Sequence, residues 1–354
     1  MFFYFSLVVI TILLYNFAER KNIKILYLIA IIPSVLIEGL RNEDIGTDMM
    51  GYGSIWYYNM RIEDGLLSAL KNVSTPEYAY HTLIFISKKL FNDIHLFLIL
   101  CASIKMGLVF FVGYKFRKQL NTTLFLAFYF AFFYFTGFSM MRQALALSVC
   151  LLSIWYLYNE KYYIFFATVI IAYLFHNSAL LMVIVFYLFL TRKMRLSLPI
   201  NFFGVIILYS SAPFLMQYLI GSSLFKEGIA EHYMNTGVAS AKSDILISSC
   251  LLLFSIYTIR KHVTPQNYMA FLCSASTLMF LFLSNYIEVA FRISYYFVIP
   301  AMLFSLILLK REAKKYRTLG YWAFLSIMAI HFYIGCTHGL GQTLPYRSFI
   351  LGIY

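Results

Sequence analysis

A succession of apolar runs near the length of a membrane-crossing helix, separated by short polar connectors, constrains this chain more than anything else in it. They fall at roughly Phe2–Ala18, Ile25–Leu40, Ile94–Tyr114, Thr122–Phe138, Gln143–Tyr158, Tyr163–Phe175, Ser178–Leu190, Pro199–Ile220, Ile245–Ile259, Asn267–Ser284, Ile293–Leu309 and Thr318–Gly335. Lipid offers no partner to a free backbone amide, so such runs must satisfy their own hydrogen bonds as helices. Several are marginal against the usual span of roughly 17–25 residues. Only 12% of the 354 residues are charged, against about 25% in ordinary soluble domains. The predicted fold is therefore all-α: one polytopic membrane domain over residues 1–354, with about twelve transmembrane helices.

Charge sets the expected orientation. The segments Glu19–Lys24, Tyr114–Gln119, Asn159–Tyr162, Thr191–Leu198, Arg260–Pro265 and Lys310–Arg317 hold seventeen of the 28 Lys and Arg. Basic residues concentrate on the cytoplasmic side, which puts these six segments inside and both termini outside. Phe2–Ala18 resembles a secretory signal in length, but Arg20, Lys21 and Lys24 follow it and no small-x-small cleavage site is present; it reads as a retained first span. Tyr163 to Leu190 is one uncharged stretch between basic flanks. Flanks on the same side need an even number of crossings, so a hairpin turning near His176-Asn177 is expected, with one long tilted helix as the competing reading. Two outer segments remain: 41–93, in which Gly65–Ala69 lies along the membrane surface, and 221–244, an amphipathic connector.

These placements exclude several function classes. The net charge of +13 belongs to the connectors, so the basic partner surface is the lipid bilayer and not nucleic acid. Cys101, Cys150, Cys250 and Cys273 lie inside apolar runs, with no Cys-x-x-Cys or Cys/His spacing, so neither a disulfide framework nor a metal is expected. No phosphate-binding glycine loop, no Gly-x-Ser-x-Gly elbow and no Asp-x-Asp is present. No cofactor is implied.

Chemistry is expected where charge interrupts the apolar pattern, because ionisable groups at a membrane helix are costly to keep. Arg41 to Tyr52 sets an arginine, three acids and two glycines directly after an apolar run. Its Gly46-Thr47-Asp48 suits a tight turn; the plainer reading is a capping loop in which Arg41 pairs with Asp44 or Asp48. Arg142-Gln143 carries the single charge between Thr122 and Tyr158. An arginine at a helix start joins guanidinium donors to free backbone N–H groups and suits a diphosphate, unless it merely snorkels to the interface. Glu288-x3-Arg292 places two opposite charges one helical turn apart, either as an intrahelical pair or with Arg292 facing a cavity that Glu288 tunes. His176 is either a core histidine or a base. Lys105, mid-run, is expected to snorkel or to pair.

The order of Arg41-x4-Gly46-Thr47-Asp48-x3-Tyr52, then Met141-Arg142-Gln143, then His176-Asn177-Ser178-Ala179 resembles the EpsG-like family of polysaccharide polymerases, related in activity to O-antigen polymerases of the Wzy type. Pro76-Glu77-Tyr78, Arg292-Ile293-Ser294-Tyr295-Tyr296 and Pro345-Tyr346-Arg347 echo further family elements. The resemblance implies a GT-C-like helical membrane domain in the bacterial plasma membrane, working on its outer face. It implies a metal-independent glycosyltransferase that moves a glycan from an undecaprenyl diphosphate carrier to the terminal sugar of another lipid-linked repeat. Donor and acceptor are then both lipid-linked oligosaccharides, with a chain-length regulator as a further partner. Arg142 and Arg292 are expected on the diphosphate, Arg41 on phosphate or in ordering the loop, and Asp48 in activating the acceptor, for which Glu77 and His176 are the other candidates. Tyr52, Gln143 and Glu288 complete the expected binding set. An O-antigen ligase and a lipid-linked oligosaccharide flippase are the alternatives.

Overall fold

The computed structural model describes residues 2–63, 65–73, 75–191, 242–261, 263–285, 288–339 and 342–353. The run expected at Pro199–Ile220 and nearly all of the outer segment 221–244 lie outside these residues. The described elements are helical, with one isolated bridge between Ser348 and Ile353. Among the described residues, eight helices are long and apolar enough to cross a membrane. The chain is an all-α polytopic membrane protein.

Helices start and stop where the sequence supplies charge, turns or caps. They run α1 Phe2–Lys21, α2 Lys24–Gly39, α3 Ser54–Asn59, α4 Leu66–Lys71, α5 Tyr78–Phe91, α6 Ile94–Phe116, α7 Thr122–Tyr129, α8 Thr136–Ser139, α9 Met141–Tyr158, α10 Tyr162–Phe175, α11 Met182–Thr191, α12 Lys242–Lys261, α13 Pro265–Leu283, α14 Glu288–Arg311 and α15 Lys314–Thr337. The basic connectors fall at helix ends, between α1 and α2, α6 and α7, α9 and α10, α12 and α13, and α14 and α15. Asp93 and Asn121 cap α6 and α7 by accepting the backbone N–H of His95 and Leu124, which satisfies donors that a helix start leaves free. The surface stretch expected at Gly65–Ala69 is the short helix α4. His176 has extended backbone and a 3₁₀ turn, Asn177–Leu181, follows it. Tyr163 to Leu190 is therefore broken at His176 and is not one continuous helix.

Two compact units divide the chain, residues 1–180 with 318–354 and residues 181–317. In the first, α6 is the central helix and packs on α2, α5 and α9. Gly39 lets α2 meet α6 closely, since a Cβ there would stand 2.9 Å from the Ile99 Cα. Across the same contact Lys105 of α6 donates to Glu38 of α2 at 2.6 Å, both nearly fully buried. Lys105 thus pairs. Phe128, Phe132 and Phe133 continue the core around a π-helical turn at Phe130–Tyr134, and Tyr134 donates to the Ser34 carbonyl at 2.6 Å. In the second unit α13 packs on α12 and α14. Its start is fixed by Pro265 and a reciprocal cap between Thr264 and Asn267, and Lys261 pairs with Glu312 at 2.8 Å.

Candidate active site

The segment after α2 is held against the α8–α9 junction by its own turn residues. Gly46 has φ +91°, and a Cβ on it would lie 2.2 Å from the Phe138 carbonyl oxygen. Only glycine tolerates both the dihedral and the approach. Next to it, the Thr47 hydroxyl donates to the Ser139 carbonyl at 3.1 Å. Asn42 fastens the turn to the end of the chain: its N–H donates to the Arg347 carbonyl at 3.0 Å, and its Oδ1 accepts the Phe349 N–H at 2.9 Å. Arg347 also pairs with Asp44 at 2.5 Å. The family-like Pro345-Tyr346-Arg347 is thereby brought to the Arg41 segment.

Arg41 does not pair with Asp44 or Asp48. It is 0% exposed, lies over the Phe138 ring at 4.5 Å and donates from Nη2 to the Phe138 carbonyl at 3.3 Å. Burial presses its pKa down and Glu38 opposes that; a guanidinium starts high enough to stay charged. Its position ties the loop to α8.

Asp48 faces the start of α9. Its Oδ2 accepts the Met141 N–H at 2.9 Å, where a carboxylate meets both a free helix donor and the positive end of the dipole. A π-helical turn, Met49–Gly53, follows, and Tyr52 lies one helical turn after Asp48 on the same side. The Tyr52 hydroxyl is hydrogen-bonded to Asp48, and burial, reinforced by that carboxylate, pushes its pKa up. Tyr52 therefore stays a neutral donor.

From Tyr52 the polar chain continues. Arg142 Nε donates to the Tyr52 oxygen at 3.1 Å, and Arg142 Nη1 donates to Glu77 Oε2. The other Glu77 oxygen accepts from His176 Nδ1 at 2.5 Å. Asp48, Tyr52, Arg142, Glu77 and His176 thus form one connected set, drawn from the loop, α9, the start of α5 and the break after α10. The single charge between Thr122 and Tyr158 is thus paired with a buried acid 65 residues earlier. Tyr52 and Trp56 shelve the guanidinium, 4.3 and 4.9 Å from their ring centres, a cation–π contact worth about 0.5–2 kcal/mol.

Glu77 is 2% exposed. Burial alone would raise its pKa, but the His176 hydrogen bond and the Arg142 charge outweigh it and hold the carboxyl below the usual range. An ionised carboxylate can only accept, so His176 carries a proton on Nδ1 and turns Nε2 away from Glu77. The His176 side chain is 24% exposed and that of Arg142 18%, so both reach the surface of the unit.

Thr75 and His81 were not singled out by sequence. Thr75 donates to Glu77 Oε2 at 3.3 Å and meets His81 Nε2 at 3.1 Å. Burial pushes the His81 pKa down to about 4. The only available signal was their spacing from Glu77, with His81 one helical turn after it. Gln143 is buried beside Arg142 on α9. Arg292 is half-buried on α14 in the second unit, and the Glu288 side chain lies outside the described residues. The predicted Glu288–Arg292 contact therefore has no described geometry. Among the described residues no three His, Cys, Asp or Glu side chains converge as metal ligands.

No curated protein and no solved structure matches the chain. The family model described as EpsG family matches residues 24–348, a range that takes in the Arg41 segment, Glu77, Arg142, His176 and Arg292 alike. The chain belongs to the EpsG family, and it is a multi-pass membrane protein of polysaccharide biosynthesis.

Proposed function

We propose that the protein is a polysaccharide polymerase of the bacterial plasma membrane, joining lipid-linked repeat units on the outer face. The observation that carries this reading is the Glu77 carboxylate bridging Arg142 and His176. It fixes, within one cluster, a cation suited to a departing diphosphate and a base suited to an attacking hydroxyl.

In the proposed reaction a hydroxyl of the acceptor's terminal sugar attacks the anomeric carbon of the donor glycan. The new glycosidic C–O bond forms as the bond from that carbon to the carrier diphosphate breaks, and its electron pair leaves with the diphosphate. The hydroxyl proton passes to His176 Nε2, oriented by Glu77, as in other base–orienter pairs. Arg142 is held by Glu77 and Tyr52 through Nη1 and Nε, which leaves Nη2 for the diphosphate oxygens. A preorganised guanidinium stabilises that developing charge better than water does. Asp48 acts on this reading as a positioning residue that fixes the α9 start beneath Arg142, and Arg41 orders the loop.

A glycan ladder tests the proposal. Deletion of the gene should abolish long chains while single repeats still reach their final acceptor, and His176→Gln at normal expression should fail to restore the ladder. Loss of single repeats as well as long chains would make the protein a ligase or a flippase and overturn the reading.

A further inference from the structure

A cavity of about 430 Å³ lies beside the charged cluster, lined among others by Trp56, Asn59, Arg61, Asn72 and His81. That volume is in the range of small-molecule sites, roughly 300–1,000 Å³. Two of its walls belong to the cluster. Trp56 lies against the Arg142 guanidinium at 4.9 Å and against His81 at 4.9 Å between ring centres. His81 reaches Glu77 through the Thr75 hydroxyl. A ligand in the cavity is therefore one side chain away from both Arg142 and Glu77.

The lining has the mixed character of a sugar site. A pyranose has C–H faces, which pack on an indole, and a rim of hydroxyls, which need both donors and acceptors. Trp56 supplies the first. Asn59 and Asn72, both exposed, supply amides that donate and accept. Arg61 is exposed at the same rim and forms no ion pair among the described residues. His81 is held neutral by burial, so the inner wall carries no charge that a neutral sugar would leave unpaired. A site for bare diphosphate would want its cations deep; here the one cation among the described lining residues, Arg61, is at the rim.

We propose that this cavity binds a sugar unit of the acceptor glycan, stacked on Trp56 and hydrogen-bonded by Asn59, Asn72 and Arg61. The assignment rests on the polymerase reading and deepens it: it gives the acceptor a place to stand while its terminal hydroxyl meets His176.

The test uses purified full-length protein in detergent, with Trp155→Phe and Trp322→Phe so that Trp56 alone reports by fluorescence. The probe is the carrier-free repeat-unit oligosaccharide released from the strain's own surface polysaccharide. It should shift Trp56 emission saturably, and Asn59→Ala with Arg61→Ala should weaken it at least tenfold. In cells the Asn59→Ala, Arg61→Ala variant should shorten the chains while single repeats persist. A Trp56 shift with polyprenyl diphosphate and none with the oligosaccharide would overturn the proposal in favour of a carrier headgroup site. Absence of any oligosaccharide response, or an unchanged ladder in the double variant, would also overturn it. The polymerase reading fails separately, through long chains persisting in the deletion strain.

Discussion

Glu77→Gln isolates the most consequential group in the site. The substitution keeps size and one carbonyl oxygen but removes the charge shared by Arg142 and His176. Charge-assisted hydrogen bonds contribute about 1.5–3 kcal/mol each and neutral ones about 1, so exchanging two of the former for at most one of the latter costs about 2–5 kcal/mol. The partial exposure of Arg142 and His176, 18% and 24%, puts the expected loss at the lower end, about 2 kcal/mol. The effect on rate is larger. Without an acceptor-only partner, His176 is free to take the other tautomer, and misorienting a base in this way removes about 10²–10⁴ in rate. Initial rates of chain extension on lipid-linked repeat, with melting temperature measured on the same preparation, separate the two effects. The expected result is a small drop in melting temperature with loss of long chains. A Glu77→Gln protein that melts normally and extends chains at the wild-type rate would refute the orienting role of Glu77 and with it the assignment of His176.

Arg142→Lys should lose about tenfold or more in extension rate although charge is kept, because an ammonium cannot hold Tyr52, Glu77 and a phosphate at once; a full ladder at normal expression would reduce Arg142 to an anchor. Asp48→Asn keeps an oxygen for the Met141 N–H but loses the carboxylate's bond from the Tyr52 hydroxyl and a dipole contribution of about 0.3–1 kcal/mol, so extension should fall without being abolished; complete loss in a well-folded protein would make Asp48 the base. Gly46→Ala should destabilise by at least about 2 kcal/mol through left-handed backbone strain and overlap with Phe138, whereas Gly51→Ala, with nothing within 4 Å, should melt like wild type. Stability should fall on acidification: the depressed His81 pKa contributes stability above 6.5 that is lost as pH drops toward about 4, and the depressed Glu77 pKa contributes stability lost below about 4.5. Melting curves of the detergent-solubilised protein across that window should flatten between pH 6.5 and 4 in His81→Gln; an unchanged slope would refute the His81 contribution.

Helix positions were legible where an apolar run is closed by charge, as Arg20-Lys21 closes α1 and Arg260-Lys261 closes α12. The break at His176 was legible from stretch length and equal flanks. Pairings were not. Glu38 and Lys105 look like two unrelated misfits until α2 and α6 are laid together, and nothing local joins Glu77 to a residue 65 positions later. Asp48 shows the same limit from the other side. Its place in a charged turn suggests proton transfer, whereas its contact with the Met141 amide depends on a helix start that the sequence signals only weakly, through Ser139 and the methionines beside it. The π-helical turn at Met49–Gly53 has no sequence signature at all.

The bonds from the Phe349 N–H to the Asn42 side chain and from Ser348 to the Leu40 carbonyl join residues 307 and 308 positions apart, and this sets an order of assembly. A ribosome adding about 5–20 residues per second needs roughly 15–60 s to cover that distance. Through that interval α2 and the turn after it are already made, while the partners that complete their backbone bonding do not yet exist. The loop bearing Asp48 and Tyr52 can settle only when the last helix has entered the bilayer and the segment behind it has folded back. Premature termination just short of Ser348 would therefore yield a protein with every described span in place and an unfinished reaction centre.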